Sequence, residues 1–224
     1  MQSRTIVALA IAVAVTHAIP ALADATNAPP VINVTQTPFD PATMPWVTDA
    51  DRTSITGMET QLVQGQLAAF VLAAAPNGSW GYRTIAKGGY VTPNSADLAR
   101  QALEQCEWAN LMPCYLIAVN GFSTRDAVGN YAQQPQMLDP DAKRFDYTTV
   151  PFVPEVDRRN LRQYFYTAGP KALMVSTGGY WTYEAGTTII EAITKATGEC
   201  KTGNSGVDCN LYAVNNFVVM DFAR

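Results

Sequence analysis

Residues 114–120 read Cys-Tyr-Leu-Ile-Ala-Val-Asn, and residues 209–215 read Cys-Asn-Leu-Tyr-Ala-Val-Asn. A short loop separates each stretch from an earlier cysteine, Cys106 in the first case and Cys200 in the second. Because one pattern occurs twice in the same chain, we expect a single structural module in two copies. A duplication of this kind predicts architecture and leaves the activity open.

The similarity between the copies extends upstream of the cysteines. Trp80-Gly81-Tyr82 corresponds to Trp181-Thr182-Tyr183. Further upstream, Pro-Trp-Val-Thr-Asp-Ala-Asp-Arg at 45–52 corresponds to Pro-Phe-Val-Pro-Glu-Val-Asp-Arg at 151–158. The matched segments keep the same order while their spacing shrinks, which is the pattern that deletions in surface loops produce.

The sequence of each copy predicts secondary-structure elements in the order α-β-β-α-β. We predict the first helices over residues 52–66 and 156–166 and the first strands over 69–75 and 172–176. A turn containing glycine joins each first strand to the strand carrying Trp-x-Tyr. The second helices start at the capping residues Asn94 and Thr188 and end near the first cysteine of each pair. The predicted fold class is α+β, with two tandem α-β-β-α-β modules and antiparallel sheets. We expect the modules to pack as a pseudo-twofold pair, because three strands alone make a weak sheet.

Four cysteines in a chain with an export signal predict a disulfide framework. The repeat favours Cys106–Cys114 and Cys200–Cys209, so that each module closes its own loop, at roughly 2–3 kcal/mol per bridge. The alternative, a metal site made by all four cysteines, is disfavoured because C-x7-C and C-x8-C differ from the C-x2-C of zinc ribbons. We therefore predict no metal and no cofactor.

The N-terminal residues predict a secretory signal peptide over 1–23. Arg4 precedes an apolar run at 5–15 that is too short to span a bilayer, and Ala21-Leu22-Ala23 has the form of a cleavage site. A retained anchor is the less favoured alternative, because Pro20 follows the short run. We expect a periplasmic or secreted protein without a membrane span after cleavage. The predicted units are a Pro-rich arm at 24–43, a first module at 44–122, a linker at 123–149 and a second module at 150–224.

Composition excludes several chemistries. The only histidine, His17, lies in the predicted signal peptide. The exported form would therefore lack Ser-His-Asp catalysis, Cys-His catalysis and the usual zinc sites. The chain has 15 Lys and Arg against 19 Asp and Glu, with no basic cluster. We therefore expect no nucleic-acid partner.

Two aromatic pairs are candidate ligand-binding residues. Trp80 and Tyr82 share one face of a predicted strand, as do Trp181 and Tyr183. Such pairs can stack on sugar rings or a flat ligand, and Gly81 would allow a close approach. The alternative, which we favour, is that both pairs contribute to the core or to contact between the copies.

Repeated acids are a second set of candidates: Asp49, Asp51, Glu155 and Asp157. Paired carboxylates can act as general acid and base or bind calcium. Acids in the first turn of a helix also complement its dipole, and this simpler interpretation is preferred. Acids without a counterpart in the other copy lie in the predicted linker, at Asp139, Asp141 and Asp146.

The second copy resembles a known family. The segments that carry the resemblance are 171–176, Trp181-x-Tyr183, Glu191-Ala192, Cys200, Cys209 and 211–215. They are similar to a small two-cysteine domain of exported bacterial proteins of unknown function, which is also appended to some bacterial hydrolases and caspase-like proteins. The resemblance is looser in the first copy. It implies a bacterial source and an exported location, and it brings no assigned catalytic residues.

Three function classes follow. The preferred one is an exported, non-catalytic binding or interaction protein, whose partner is an unknown envelope protein or a small or glycan ligand. The alternatives are a carboxylate-dependent hydrolase or lyase of envelope polysaccharide and a structural cell-envelope protein. The first is preferred because the framework residues are duplicated, whereas catalytic sites are usually asymmetric. We assign no catalytic residue.

Overall fold

The computed structural model of the chain describes residues 29–88, 94–109, 111–204 and 208–220. The predicted signal peptide at 1–23 lies outside these residues. Within the described ranges, none of the helices has the length and apolar character needed to cross a bilayer.

The first half contains two helices and an antiparallel sheet of four strands. Its elements are α1 (Asp49–Val63), β1 (Leu67–Ala74), β2 (Trp80–Ala86), α2 (Ser95–Trp108), β3 (Tyr115–Val119) and β4 (Phe122–Ser123). The strand order is β2-β1-β3-β4. The helices begin where side chains satisfy free backbone donors: Thr48 and Asp51 form a reciprocal capping box, and Asn94 accepts the first N–H groups of α2.

The second half repeats these elements in the same order. They are α3 (Glu155–Arg158), α4 (Arg162–Tyr166), β5 (Lys171–Val175), β6 (Trp181–Ala185), α5 (Ile189–Gly203), β7 (Asn210–Val214) and β8 (Phe217–Val218). The strand order β6-β5-β7-β8 matches that of the first sheet, and all pairs are antiparallel. The predicted α+β class is confirmed, and each half adds a short fourth strand.

The predicted helix at 156–166 is wrong in its continuity. The chain forms the short helices α3 and α4 there, with a turn between them. Asn160 and Leu161 donate their N–H groups to residues three positions earlier, Asp157 and Arg158. Bonds of this i→i+3 type tighten the backbone and interrupt an α-helix.

Each half contains one disulfide, as the repeat predicts. Cys106 in α2 is bonded to Cys114, which precedes β3. Cys200 in α5 is bonded to Cys209, which precedes β7. Each bridge therefore joins the long helix of its half to the next strand.

The repeated Ala-Val-Asn sequence has a backbone role. Asn120 and Asn215 adopt left-handed conformations, with φ of 51° and 53°. Their side-chain oxygens accept the N–H groups of Phe70 and Lys171, at 3.0 and 3.2 Å. Asparagine tolerates this conformation better than most residues and supplies the acceptor. The repeated residue thus joins the turn after β3 or β7 to the neighbouring strand.

Both faces of the first sheet are covered, so its central strand is apolar without alternation. Ala69, Val71 and Ala73 belong to the cluster that includes α2 residues. Phe70, Leu72 and Ala74 belong to a second cluster with Ile55 of α1.

The second sheet is also covered on both faces. Ala172 and Met174 pack with α5. On the other face, Leu173 and Val175 pack with α4 and with the segment before it. Residues 123–149, predicted as a linker, supply the buried Leu138 and Phe145 to this second core.

The halves meet through unlike surfaces. Helix α2 of the first half contacts the segment at 151–158 of the second half. Arg83 on β2 of the first half contacts the β5–β6 turn of the second half. A twofold axis would bring equivalent surfaces together. The predicted pseudo-twofold packing is therefore not confirmed.

The Pro-rich segment before α1 runs along the short strand β4. Ser123 donates its N–H to Thr37 and accepts the N–H of Thr35, both at 3.0 Å. Phe39 is buried in the core that α1 covers. The segment thus covers an edge of the first sheet, which would otherwise expose unpaired backbone groups.

Candidate functional site

A cleft of about 600 Å³ lies where the outer side of α2 meets the second half. Its polar lining includes Asp97, Arg100, Glu104, Tyr147, Glu155, Arg158 and Arg159. Pro29, Pro30 and Met137 contribute apolar surface. The cleft is of the size that small ligands occupy in proteins.

Glu104 is the central group beside the cleft. One carboxylate oxygen, Oε2, accepts the N–H of Phe152 at 2.6 Å. The other, Oε1, is paired with Arg100 at 2.5 Å and with Arg158 at 3.2 Å. The side chain is 3% exposed. Both oxygens of this buried carboxylate are therefore engaged in bonds that join the two halves.

Asp97 is engaged in a similar way at the start of α2. Its Oδ1 pairs with Arg100 at 2.6 Å. Its Oδ2 accepts a side-chain N–H of Gln101 and the backbone N–H of Glu155, both at 3.0 Å. The second of these bonds satisfies a free donor at the start of α3, where a carboxylate also complements the helix dipole.

The two largely buried arginines that pair with Glu104 respond differently to this environment. Burial alone would lower the pKa of Arg100, but the charges and hydrogen bonds of Glu104 and Asp97 raise it overall. Burial lowers the pKa of Arg158, and the charge of Glu104 opposes this only in part. Arg158 also donates to the Val150 carbonyl at 2.6 Å, which holds the start of the second half in place.

Arg83 on β2 crosses between the halves and has no carboxylate partner among the described residues. It donates to Gln101 at 3.1 Å, to Gln105 at 2.8 Å and to the carbonyl of Thr177 in the β5–β6 turn. Burial lowers the pKa of Arg83 to about 10. The neutral acceptors keep a buried guanidinium hydrogen-bonded, as its burial requires.

Glu107 anchors the segment between the halves to α2. Its carboxylate accepts the N–H of Met137 and the N–H of Leu138, both at 2.8 Å. The residue is fully buried. Burial raises the pKa of Glu107 to about 8, although the two amide donors lower it. The Glu107 carboxyl group therefore changes its protonation state near this pH rather than near pH 4.5.

The groups still available to a ligand lie at the rim. Arg159 and Glu155 are exposed, and Tyr147 is half-buried. Within the described residues, the side chains of these three form no hydrogen bond or ion pair. They offer a cation, an anion and a phenol around the opening.

The predicted aromatic pairs belong to two separate hydrophobic clusters. Trp80 and Tyr82 stack on each other, with ring centroids 5.6 Å apart, and pack on the core below α1. Trp181 and Tyr183 pack on the core of the second half, where Tyr183 meets the edge of Tyr164 at 5.5 Å. All four are half-buried. Their role in binding a ligand stays a prediction.

Gly81 has a packing role that differs from the one predicted. A Cβ atom at this position would lie 2.4 Å from the carbonyl oxygen of Ala102 and 2.6 Å from the nitrogen of Cys106. The group that approaches Gly81 closely is therefore helix α2 of the same half. This contact, rather than a ligand, requires glycine here.

The repeated acids lie at helix starts, where the simpler interpretation put them. Asp49 and Asp51 are in the first turn of α1, and Glu155 and Asp157 are in the first turn of α3. Hydrogen bonding from Thr48 lowers the pKa of Asp51. Among the described residues, no three His, Cys, Asp or Glu side chains are grouped so as to hold a metal ion.

Arg100 and Glu104 of α2 were not singled out from the sequence. The available signal was a difference between the copies. At the position of Glu104, counted back from the first cysteine of each pair, α5 has Gly198. Arg100 is likewise replaced by Thr194. The charged pair of Arg100 and Glu104 occurs only on α2, and α2 is the helix whose surface is buried between the halves.

Comparisons with family models, with curated proteins and with solved structures find no match to this chain. The resemblance of the second copy to the two-cysteine domain therefore stays a prediction.

Proposed function

We propose that this chain is an exported, non-catalytic binding protein whose ligand occupies the cleft between its two halves. The observation that carries the proposal is the division of polar groups around the cleft. The carboxylates of Asp97 and Glu104 have both oxygens bonded to the protein, whereas the side chains of Arg159, Glu155 and Tyr147 at the rim have no hydrogen bond or ion pair within the described residues.

This division argues against the alternative of a carboxylate-dependent hydrolase or lyase. A general acid or base must reach the proton that it transfers. In Glu104, one oxygen faces two arginines and the other faces a backbone N–H. Releasing either oxygen for catalysis would break contacts that hold the halves together.

The proposed function includes a periplasmic or secreted location. Two disulfides favour an oxidising environment, and the sequence predicts a signal peptide. A periplasmic or secreted location and a small or glycan ligand are consistent with these features. The cleft offers charged groups of both signs together with proline surface, which suits a ligand with polar and apolar parts.

The test is a binding titration with defined probes. The full chain is titrated by calorimetry with an N-acetylglucosamine tetramer and with a galacturonic acid tetramer, and each mixture is also assayed for new reducing ends. We expect one probe to bind without turnover, and Arg159→Ala with Tyr147→Phe to weaken binding at least tenfold. Arg144→Ala is the matched control, because Arg144 is exposed and does not line the cleft. Turnover that is lost in Glu104→Gln would refute a non-catalytic role.

A further inference from the structure

The segment at 45–52 in the first half repeats the backbone of the segment at 151–158 in the second. Trp46 and Phe152 adopt the same left-handed conformation, with φ of 69° and 66°. In each half the carbonyl oxygen of this residue lies 3.2 Å from the Cβ position of the hairpin-turn glycine, Gly78 or Gly179. The same frame is thus built twice.

An arginine is repeated within this frame as well. Arg52 donates to the carbonyl of Met44 at 3.0 Å, as Arg158 donates to the carbonyl of Val150 at 2.6 Å. The two guanidinium groups therefore stand at equivalent places, each beside the left-handed aromatic residue of its half.

In the second half, this frame is occupied by a helix. Glu104 of α2 accepts the N–H of Phe152 and pairs with Arg158. Trp108, one turn further along α2, meets the ring of Phe152 edge-on at 6.0 Å. Phe152 is fully buried as a result. The chain itself therefore shows which chemistry fits this frame: a helix carrying Arg-x3-Glu-x3-Trp.

In the first half, the equivalent frame faces solvent. Trp46 is 37% exposed and tilts against Tyr115 and Tyr131, with ring centroids 5.2 and 6.3 Å away. Arg52 pairs with Asp49, whose side chain is 97% exposed. Its Nε atom is buried and has no hydrogen-bond acceptor among the described residues. We call Trp46, Arg52 and Tyr115 the Trp46 surface.

A second copy of this chain lacks a helix that fits the Trp46 surface. Its α2 is already used between its own halves. Its α5 has Gly198 at the position of Glu104 and Thr202 at the position of Trp108. The carboxylate and the aromatic ring that the frame accepts are both missing. We therefore infer that the occupant is a helix of a different protein.

We propose that the Trp46 surface docks a helix of a partner protein that carries the α2 pattern, a glutamate with arginine four residues before it and an aromatic residue four residues after it. The glutamate accepts the N–H of Trp46 and pairs with Arg52, and the aromatic residue covers the Trp46 ring. This contact goes beyond the ligand cleft and shares no residue with it.

The probe is a lactam-stapled, fluorescently labelled peptide with the sequence of residues 95–108, in which Cys106 is replaced by alanine. Stapling supplies the helix that so short a peptide would not form alone. Binding to the full chain is followed by fluorescence anisotropy. The chain also offers a natural control, a stapled peptide of residues 189–203 from α5. We expect the α2 peptide to bind saturably and the α5 peptide to bind at least tenfold more weakly.

Two chain variants and one peptide variant test where the peptide binds. Trp46→Gly removes the ring at a position where φ of 69° suits glycine. Arg52→Gln removes the positive charge of the Trp46 surface and provides a second test if Trp46→Gly fails to fold. Each of them, and a peptide with Glu104→Gln, should weaken binding at least tenfold, while Arg162→Gln at an exposed site should not.

Three results would overturn the proposal: no saturable binding of the α2 peptide, equal binding of the two peptides, or binding that is unchanged in both chain variants. None of the variants of the full chain changes a residue of the cleft. A failed peptide experiment therefore leaves the cleft titration unaffected, and the two proposals fail separately.

Discussion

Glu104→Ala is the substitution that should most strongly weaken the contact between the halves. It removes the acceptor for Phe152 N–H and the partner of two largely buried arginines, Arg100 and Arg158. Removing one partner of a buried ion pair costs about 3–5 kcal/mol, because the remaining charges stay buried without compensation. The three contacts share one carboxylate, so their costs do not add. We therefore expect the free energy of unfolding to fall by about 3–5 kcal/mol.

The measurement is equilibrium unfolding in urea, followed by tryptophan fluorescence. Glu104→Gln should fall between Glu104→Ala and the unmodified chain, because its oxygen can still accept one hydrogen bond while the charge is lost. Gly198→Ala is the matched control at the equivalent position of α5. A Cβ atom there meets nothing within 4 Å. Alanine is the better helix former by about 1 kcal/mol, so this variant should be more stable.

A loss of less than 1 kcal/mol in Glu104→Ala would refute the reasoning. It would mean that solvent reaches the two arginines and replaces the carboxylate. A loss of the expected size in Glu104→Ala with none in Glu104→Gln would assign the effect to the hydrogen bond of Phe152 rather than to charge.

Three further substitutions test other contacts, each through the free energy of unfolding in urea. Gly81→Ala should destabilise the chain by about 3 kcal/mol or more, because its Cβ would overlap the α2 backbone. Gly57→Ala, at a position in open space on α1, is the control and should stabilise the chain. A Gly81→Ala chain as stable as the unmodified one would show that α2 can move away. Burial raises the pKa of Glu107 from 4.5 to about 8, so the folded chain holds a proton that the unfolded chain releases. The free energy of unfolding should therefore fall as pH rises from about 4.5 to 8, by up to about 1.4 kcal/mol per pH unit, and a slope unchanged in Glu107→Gln would contradict this origin. Lys171→Met should lower the free energy of unfolding by about 2–3 kcal/mol, because the Lys171 ammonium donates to three carbonyls at the end of α4. A decrease below about 0.5 kcal/mol would show that water replaces the ammonium as the donor to these carbonyls.

The local elements could be predicted because each has a local cause. The helix starts at Asn94 and Thr188 carry side chains that accept backbone N–H groups within the next turn. The disulfides follow from the repeat, because each pair of cysteines closes a loop within one copy. The sequence shows that Asn120 and Asn215 are repeated, but it did not predict their left-handed backbone conformation.

The docking of the halves could not be predicted, because its contacts join residues far apart in sequence. Glu104 and Phe152 are one example, and Asp97 and Glu155 are another. Nothing in the spacing of either residue indicates its partner. The expected twofold pairing rested on the similarity of the copies and on the weakness of a three-stranded sheet, but similar halves can also meet through unlike surfaces. The candidate cleft was missed for the same reason.

The position of α2 implies an order of folding. The second half has only the short helices α3 and α4 before its sheet, where the first half has the fifteen-residue α1. Its core is completed by Trp108 at the end of α2 and by Leu111, both contributed by the preceding half. We therefore predict that the first half folds first and provides the surface on which the second half assembles. Folding should proceed from the N-terminal side, in the direction in which a ribosome or an export channel releases a chain, and the second half expressed alone should remain without a fixed core.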